Sequence, residues 1–261
     1  MKRWPNQTEN LLYLEYDIQQ NKPGLLGAVT TLIGMLDLNI LSVSGIGLTR
    51  RGLLLQVQSE TKVRALHEAL IEVGAIKVTA FRPPTLTDRI ALRHGKRLAM
   101  TETNPPTYRF VREDLGVLVD FLGDTLVDGG NHVIGIRGMP RVGKTEAAIA
   151  ACVYANKRWI LLSSTIIRQT IRTELLLDES ENSIFLIDGI TSTTRGNNEH
   201  WALIQEVLQM PTLKIIEHPD VFLRDGRLEV DFDFIIEIRH HEDDLIRIEE
   251  ISMSFTAFDL S

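Results

Sequence analysis

The stretch "NHVIGIRGMPRVGKTEAAIAACVYANK", residues 131 to 157, decides how this chain reads. Its centre, "GMPRVGKT" at 138–145, fits G-x-x-x-x-G-K-[ST], a P-loop whose backbone amides can cradle phosphates. An apolar strand pattern leads into it and a helical pattern leads out, the strand–loop–helix setting in which the motif carries meaning. Gly138 and Gly143 let the backbone turn its N–H groups inward without Cβ clashes. Met139, Pro140, Arg141 and Val142 complete the loop. Lys144 offers a compact positive charge to the β- and γ-phosphates, and Thr145 offers a hydroxyl to Mg²⁺. Arg137 and Arg141 flank the loop as further phosphate candidates. No guanine-specifying N-K-x-D follows, so the expected nucleotide is ATP, with Mg²⁺.

Downstream, "SIFLID" (183–188) is an apolar strand pattern ending in an acid. It resembles a Walker B strand, which implies that Asp188 holds Mg²⁺ directly or through water. Motor-type ATPases place Glu beside this Asp; here the neighbour is Gly189, which shifts the expectation from motor towards switch, slow ATPase or kinase. "LLSSTIIRQTIRTEL" (161–175) resembles the acceptor region of P-loop small-molecule kinases. That resemblance implies Arg168 and Arg172, four apart on one helix face, as a clamp for an anionic substrate. The polar stretch 189–201 contains Arg195, Glu199 and His200, candidate groups of a sensor loop or lid. Near the C-terminus, "HPDVFLRDGRLEVDFDFIIEI" reads as strands around an Asp225-Gly226 turn.

Working towards the N-terminus, two proline pairs, "RPPT" at 82–85 and "NPPT" at 104–107, punctuate the chain. They predict a first domain at 1–82, a connector at 83–111 and a nucleotide-binding domain at 112–261. In the first, "LLYLEYDIQ" alternates as a strand with Leu12, Leu14, Tyr16 and Ile18 on one side. "PGLLGAVTTLIGMLD" has helical spacing behind Pro23, two strands surround "TRRG", "TKVRALHEALIEVGA" is a second helix, and "IKVTAF" closes as a strand. The order is βαββαβ, a ferredoxin-like α+β arrangement. The connector carries a basic cluster, Arg89, Arg93, Lys96 and Arg97, read as a solvated segment.

The first strand, "DIQQNKPGLLG" and the helix ending in "LNI" resemble the opening of ACT domains, regulatory modules that commonly bind amino acids and pair through their sheets. The resemblance implies Asn21, Gly24, Leu25, Asn39 and Ile40 as ligand-side positions, an amino-acid effector and a homodimer. The whole chain resembles an uncharacterised bacterial family that joins an ACT-like domain to a P-loop NTPase domain with a mainly parallel α/β sheet.

Composition bounds the rest. The 261 residues are 44% hydrophobic and 24% charged, ordinary for a globular chain of two domains. No apolar run approaches the roughly 20 residues of a membrane helix, and the N-terminus lacks the apolar core of a signal peptide. A lone Cys152 excludes an internal disulfide and a cysteine metal cluster; together these features point to the cytoplasm. From Glu217 to Ser261 there are 13 acidic and 4 basic residues, a local charge of −9 within a net −7. That acidity argues against a broad nucleic-acid footprint. The expectation is a ligand-regulated ATP-binding switch or slow ATPase. Its alternatives are an ACT-regulated small-molecule kinase and a non-catalytic assembly protein that uses nucleotide structurally.

Overall fold

The computed structural model describes residues 10–162, 182–190, 192, 198–226 and 229–244. The chain divides after Leu98 into two compact units.

The first unit has the expected βαββαβ order: β1 (Leu11–Ile18), α1 (Leu25–Met35), β2 (Asn39–Ile46), β3 (Arg50–Gln56), α2 (Glu60–Glu72) and β4 (Ile76–Arg82). Its sheet is antiparallel in the order β2-β3-β1-β4. Leu12, Leu14 and Tyr16 of β1, with Ile18 beside them, form a core with Val29 and Ile33 of α1 and Leu66 and Leu70 of α2. This is the apolar face that the alternation predicts.

The residues between them are buried too. Tyr13 packs with Ile46, Leu54, Ala91 and Leu92 in a second cluster, because a third helix, α3 (Leu86–His94), covers the sheet's other face. Glu15 lies on that face, 1% exposed. It accepts hydrogen bonds from Tyr13 (2.6 Å) and Thr79 (2.7 Å), pairs with Arg97, and lies 3.5 Å from Arg50. A buried carboxylate persists only when its oxygens are partnered in this way.

The segment 83–111 is therefore not a solvated connector. Thr85 and Asp88 form a capping box, Asp88 is also held by Arg82 at 2.5 Å, and Ile90, Ala91 and Leu92 are buried. Past Leu98 the chain enters the second unit with β5 (Ala99–Thr101) and β6 (Thr107–Val111). The proline pairs mark the starts of ordered elements rather than the ends of a linker.

The second unit continues with α4 (Leu115–Asp128), β7 (Val133–Gly138), α5 (Lys144–Tyr154), β8 (Arg158–Leu162), β9 (Ser183–Asp188), α6 (Asn198–Gln209), β10 (Leu213–Glu217), α7 (Pro219–Asp225) and β11 (Phe234–Arg239). Seven strands lie in the order β5-β6-β11-β7-β10-β9-β8. All pairs are parallel except β5 with β6. Ile134, Ile136, Ile184, Phe185, Ile187, Ile215 and Ile216 are fully buried, as befits a sheet covered on both faces.

One strand placement bears on the site, and one segment differs from the expected pattern. β10 lies between β7 and β9, so the Asp188 strand is not the neighbour of the strand that feeds the glycine loop. Residues 219–225 are helical, not the first arm of a hairpin. Pro219 sits in the first turn and Gly226, at φ 67°, ends the helix in the left-handed conformation. Among the described residues, no helix is long and apolar enough to cross a membrane.

Candidate functional site

Three strand ends build the site. β7 ends at Gly138, the loop turns back through Gly143, and α5 starts at Lys144. Gly138 is required by proximity: a Cβ there would lie 2.4 Å from the Ile238 carbonyl oxygen of β11. Gly143 has φ 97°, a conformation that side chains with a Cβ rarely adopt. Val142 is buried, pinning the loop to the core.

Lys144 is 7% exposed, and its Nζ donates to the carbonyls of Gly138 (3.1 Å) and Met139 (2.9 Å). An ammonium has three donors, so one remains for another acceptor. Burial pushes its pKa below the ordinary lysine value, against the pull of the Glu217 and Asp188 carboxylates.

β9 brings Asp188 to the same end of the sheet. Its Oδ1 accepts from the backbone of Ile190 at 3.0 Å. Beyond it, Ser192 donates to the Asp188 carbonyl at 2.6 Å and contacts His200 Nε2 at 3.0 Å. Because the Ser192 hydroxyl is spent as a donor, His200 Nε2 carries the proton of that second contact. His200 is 1% exposed, so it braces the strand end from within rather than serving an exposed loop. Arg168, Arg172 and Arg195, and the side chain of Glu199, lie outside the described residues.

β10 contributes what sequence reasoning missed. Glu217 is the register partner of Asp188 on one side and of Ile136 on the other. It accepts a hydrogen bond from the Thr145 hydroxyl. Burial lifts its pKa above the usual carboxylate range and Asp188 adds to the rise, while Thr145 and Lys144 oppose it. His218, 6% exposed and at φ 56°, follows it. Burial, then the nearby Lys144 charge, pushes its pKa down to about 4, so it is neutral near pH 7. The available signal was "LKIIEHP", an apolar run ending in an acid like "SIFLID".

Gly189 explains the residue type beside Asp188. A Cβ there would meet the carbonyl oxygens of Glu217 at 2.7 Å and His218 at 2.8 Å, and Phe222 at 3.0 Å. The end of β10 occupies the space that a glutamate would need.

These groups line one cavity of about 730 Å³: Arg112, Arg141, Lys144, Thr145, Glu146, Asp188 and Glu217 supply its charged and hydroxyl groups, with His218 at the wall. Arg112 donates to the Arg141 carbonyl, tying the start of α4 to the loop. Arg137 is committed elsewhere, to Glu237 at 2.7 Å and Asp220 at 3.3 Å, and so is not a phosphate contact. Chemically, the cavity joins three cations to three carboxylates at the start of a helix, and the facing pair Asp188 and Glu217 with Lys144 and Thr145 is a donor set suited to a phosphate chain with a divalent ion.

In the first unit, Gly24 precedes α1 at φ 82° and Leu25 packs on the core. Asn39 is occupied across the sheet, donating to Gln56 at 3.4 Å, and Ile40 packs on the same core. Asn21 is exposed. These positions share the β1–α1 and α1–β2 turns, and two of the five are used in packing.

The family described as "Protein of unknown function (DUF3388)" matches residues 78–259. The "Uncharacterized protein YmfK" of Bacillus subtilis (strain 168) is 45% identical over 239 residues, covering 91% of this chain and 89% of that protein. With most of the second unit matched by the family and both units by this relative, the chain belongs to the DUF3388 family.

Proposed function

We propose that the chain is a ligand-regulated ATP-binding protein, a switch or slow ATPase, whose residues 138–145 form a P-loop. The observation that carries this reading is the buried Lys144 ammonium, held by two loop carbonyls at the floor of a cavity that also holds Thr145, Asp188 and Glu217. A lysine is costly to desolvate, and an anionic ligand offsets that cost. Lys144 would grip the β- and γ-phosphates with the loop amides. Thr145 and Asp188 would hold Mg²⁺, which neutralises phosphate charge when bound. Arg112 and Arg141 stand where further phosphate oxygens can reach them.

Glu217 supports slow hydrolysis over pure binding. It brings beside Asp188 the carboxylate that Gly189 leaves absent, and can orient a water by accepting its hydrogen bond. In this reading the first unit is an ACT-like sensor of a small molecule such as an amino acid. The protein works in the cytoplasm as a homodimer, paired through the sheets of the first unit.

Calorimetric titration of Mg-ATP into the full chain tests the proposal. Wild type binds with one site, and Lys144→Ala weakens binding by about 10- to 100-fold, the worth of a charged hydrogen-bonding group. Absence of binding by wild type at millimolar ATP overturns it.

A further inference from the structure

A second cavity, of about 340 Å³, opens at the opposite end of the same sheet. It lies where β7, β9 and β10 begin, and is lined by Gly129, Gly130, Asn131, Lys157, Ser183, Pro211, Thr212 and Leu213. The phosphate loop, Asp188 and Glu217 stand at the other ends of those strands. A strand of five or six residues separates the two sites by roughly 17–20 Å.

Two features single it out. Ser183 and Thr212 are 4% and 5% exposed, yet neither hydroxyl has a hydrogen-bond partner among the described residues. Buried hydroxyls are nearly always satisfied, and two orphans on residues that line one cavity call for a shared partner. The lining is also one-sided in chemistry. Among the described residues it holds the Lys157 ammonium, two hydroxyls and the Asn131 amide, and no carboxylate. The Asn131 Oδ1 already accepts from the buried Lys214 Nζ at 2.7 Å, which leaves its NH₂ as the available group. Every free polar side-chain group of the lining can therefore donate.

We infer that this cavity is a second anion site, taking the phosphate or carboxylate group of a small effector. Ser183 and Thr212 donate to its oxygens, Asn131 adds a third donor, and Lys157 balances the charge. The site is distinct from the nucleotide cavity, shares no lining residue with it, and stands whether or not ATP binds there.

The test uses the full chain carrying Lys144→Ala, so that the phosphate loop does not compete. Inorganic phosphate and acetate are titrated separately by calorimetry at constant ionic strength, which separates the two sources of oxyanion. One of them binds saturably at one site. Adding Lys157→Ala, a partly exposed change that leaves the core intact, weakens that binding about tenfold. Adding Ser183→Ala with Thr212→Val abolishes it, with circular dichroism confirming that the variant is folded. No saturable binding of either anion overturns the proposal, as does binding that survives both sets of changes. An unfolded double variant leaves Lys157→Ala to decide: unchanged affinity there also overturns it.

Discussion

Gly189→Ala probes the arrangement on which the cavity at Lys144 and Asp188 depends. The added Cβ would lie 2.7 and 2.8 Å from two carbonyl oxygens at the end of β10, and 3.0 Å from Phe222. Ordinary contacts begin near 3.4 Å, so either β9 or the end of β10 must shift by several tenths of an ångström. Glu217 is held in register between β7 and β9, and the His218 N–H donates to the Ile136 carbonyl at 3.0 Å, so neither oxygen can swing aside as a side chain would. Overpacking of this kind costs about 1–3 kcal/mol, and the rigid neighbours place this case near the upper end, at about 2–3 kcal/mol. For a unit of this size that lowers Tm by roughly 4–12 °C. Trp201 stacks edge-on against Phe222 with centroids 5.7 Å apart, so its fluorescence reports the melting of this region. Gly116→Ala, near the start of α4, is the matched control: its Cβ meets nothing within 4 Å and it should melt no lower than wild type. If Gly189→Ala also melts where wild type does, the close approach of β10 to Asp188 is refuted. The same variant should bind Mg-ATP more weakly, because it displaces Glu217.

Three further outcomes follow from the burial of charge. His218 has a folded pKa of about 4 against 6.5 when free, so the unfolded chain binds more protons between those values and stability falls as pH drops through that window. The loss is at most about 3 kcal/mol; urea midpoints near neutrality and near pH 4 should differ less in His218→Asn than in wild type, Asn being tolerant of the left-handed backbone. Glu15→Ala strands Tyr13, Thr79 and Arg97 around an empty acceptor and should cost about 3 kcal/mol, the lower end for a broken buried pair because Arg97 is 40% exposed; denaturant unfolding of the first unit measures it, and a loss below experimental error would contradict the network. Lys144→Met replaces a desolvated ammonium by an apolar chain of similar length. It should match or exceed wild type in nucleotide-free melting while losing Mg-ATP binding, and a clear drop in melting temperature would show that the ammonium stabilises the empty loop.

What the sequence disclosed was local. "GMPRVGKT" is read from spacing within eight residues, and the flanking strand and helix are its immediate neighbours, so Lys144 and Thr145 could be placed directly. Asp188 was legible because an apolar run ending in an acid needs only the run itself. Glu217 has the same pattern, but its importance depends on β10 inserting between β7 and β9, a long-range pairing that no window contains. α3 was hidden for another reason. Its apolar set, Ile90, Ala91 and Leu92, is short and surrounded by basic residues, and the partner surface is the odd-numbered face of β1, which reads as polar because Glu15 lies on it. The segment 219–225 misled through Asp225-Gly226, a pair that serves a hairpin turn and a helix C-terminus equally well.

The placement of β10 and β11 also bears on how the protein is made. Val133 and its neighbours wait for Lys214 to pair on one side, and Ile134 waits for Phe234 on the other. During synthesis, the whole "GMPRVGKT" loop and Asp188 emerge long before either strand that will clamp β7. A nascent chain ending at Asp188 thus contains the recognisable motif residues and lacks the wall that spaces them. Such distant pairing slows folding and leaves the edges of β7 exposed in the meantime. Nucleotide capture should therefore begin abruptly, once residues through Arg239 have been released, and fragments shortened before β11 should aggregate rather than bind.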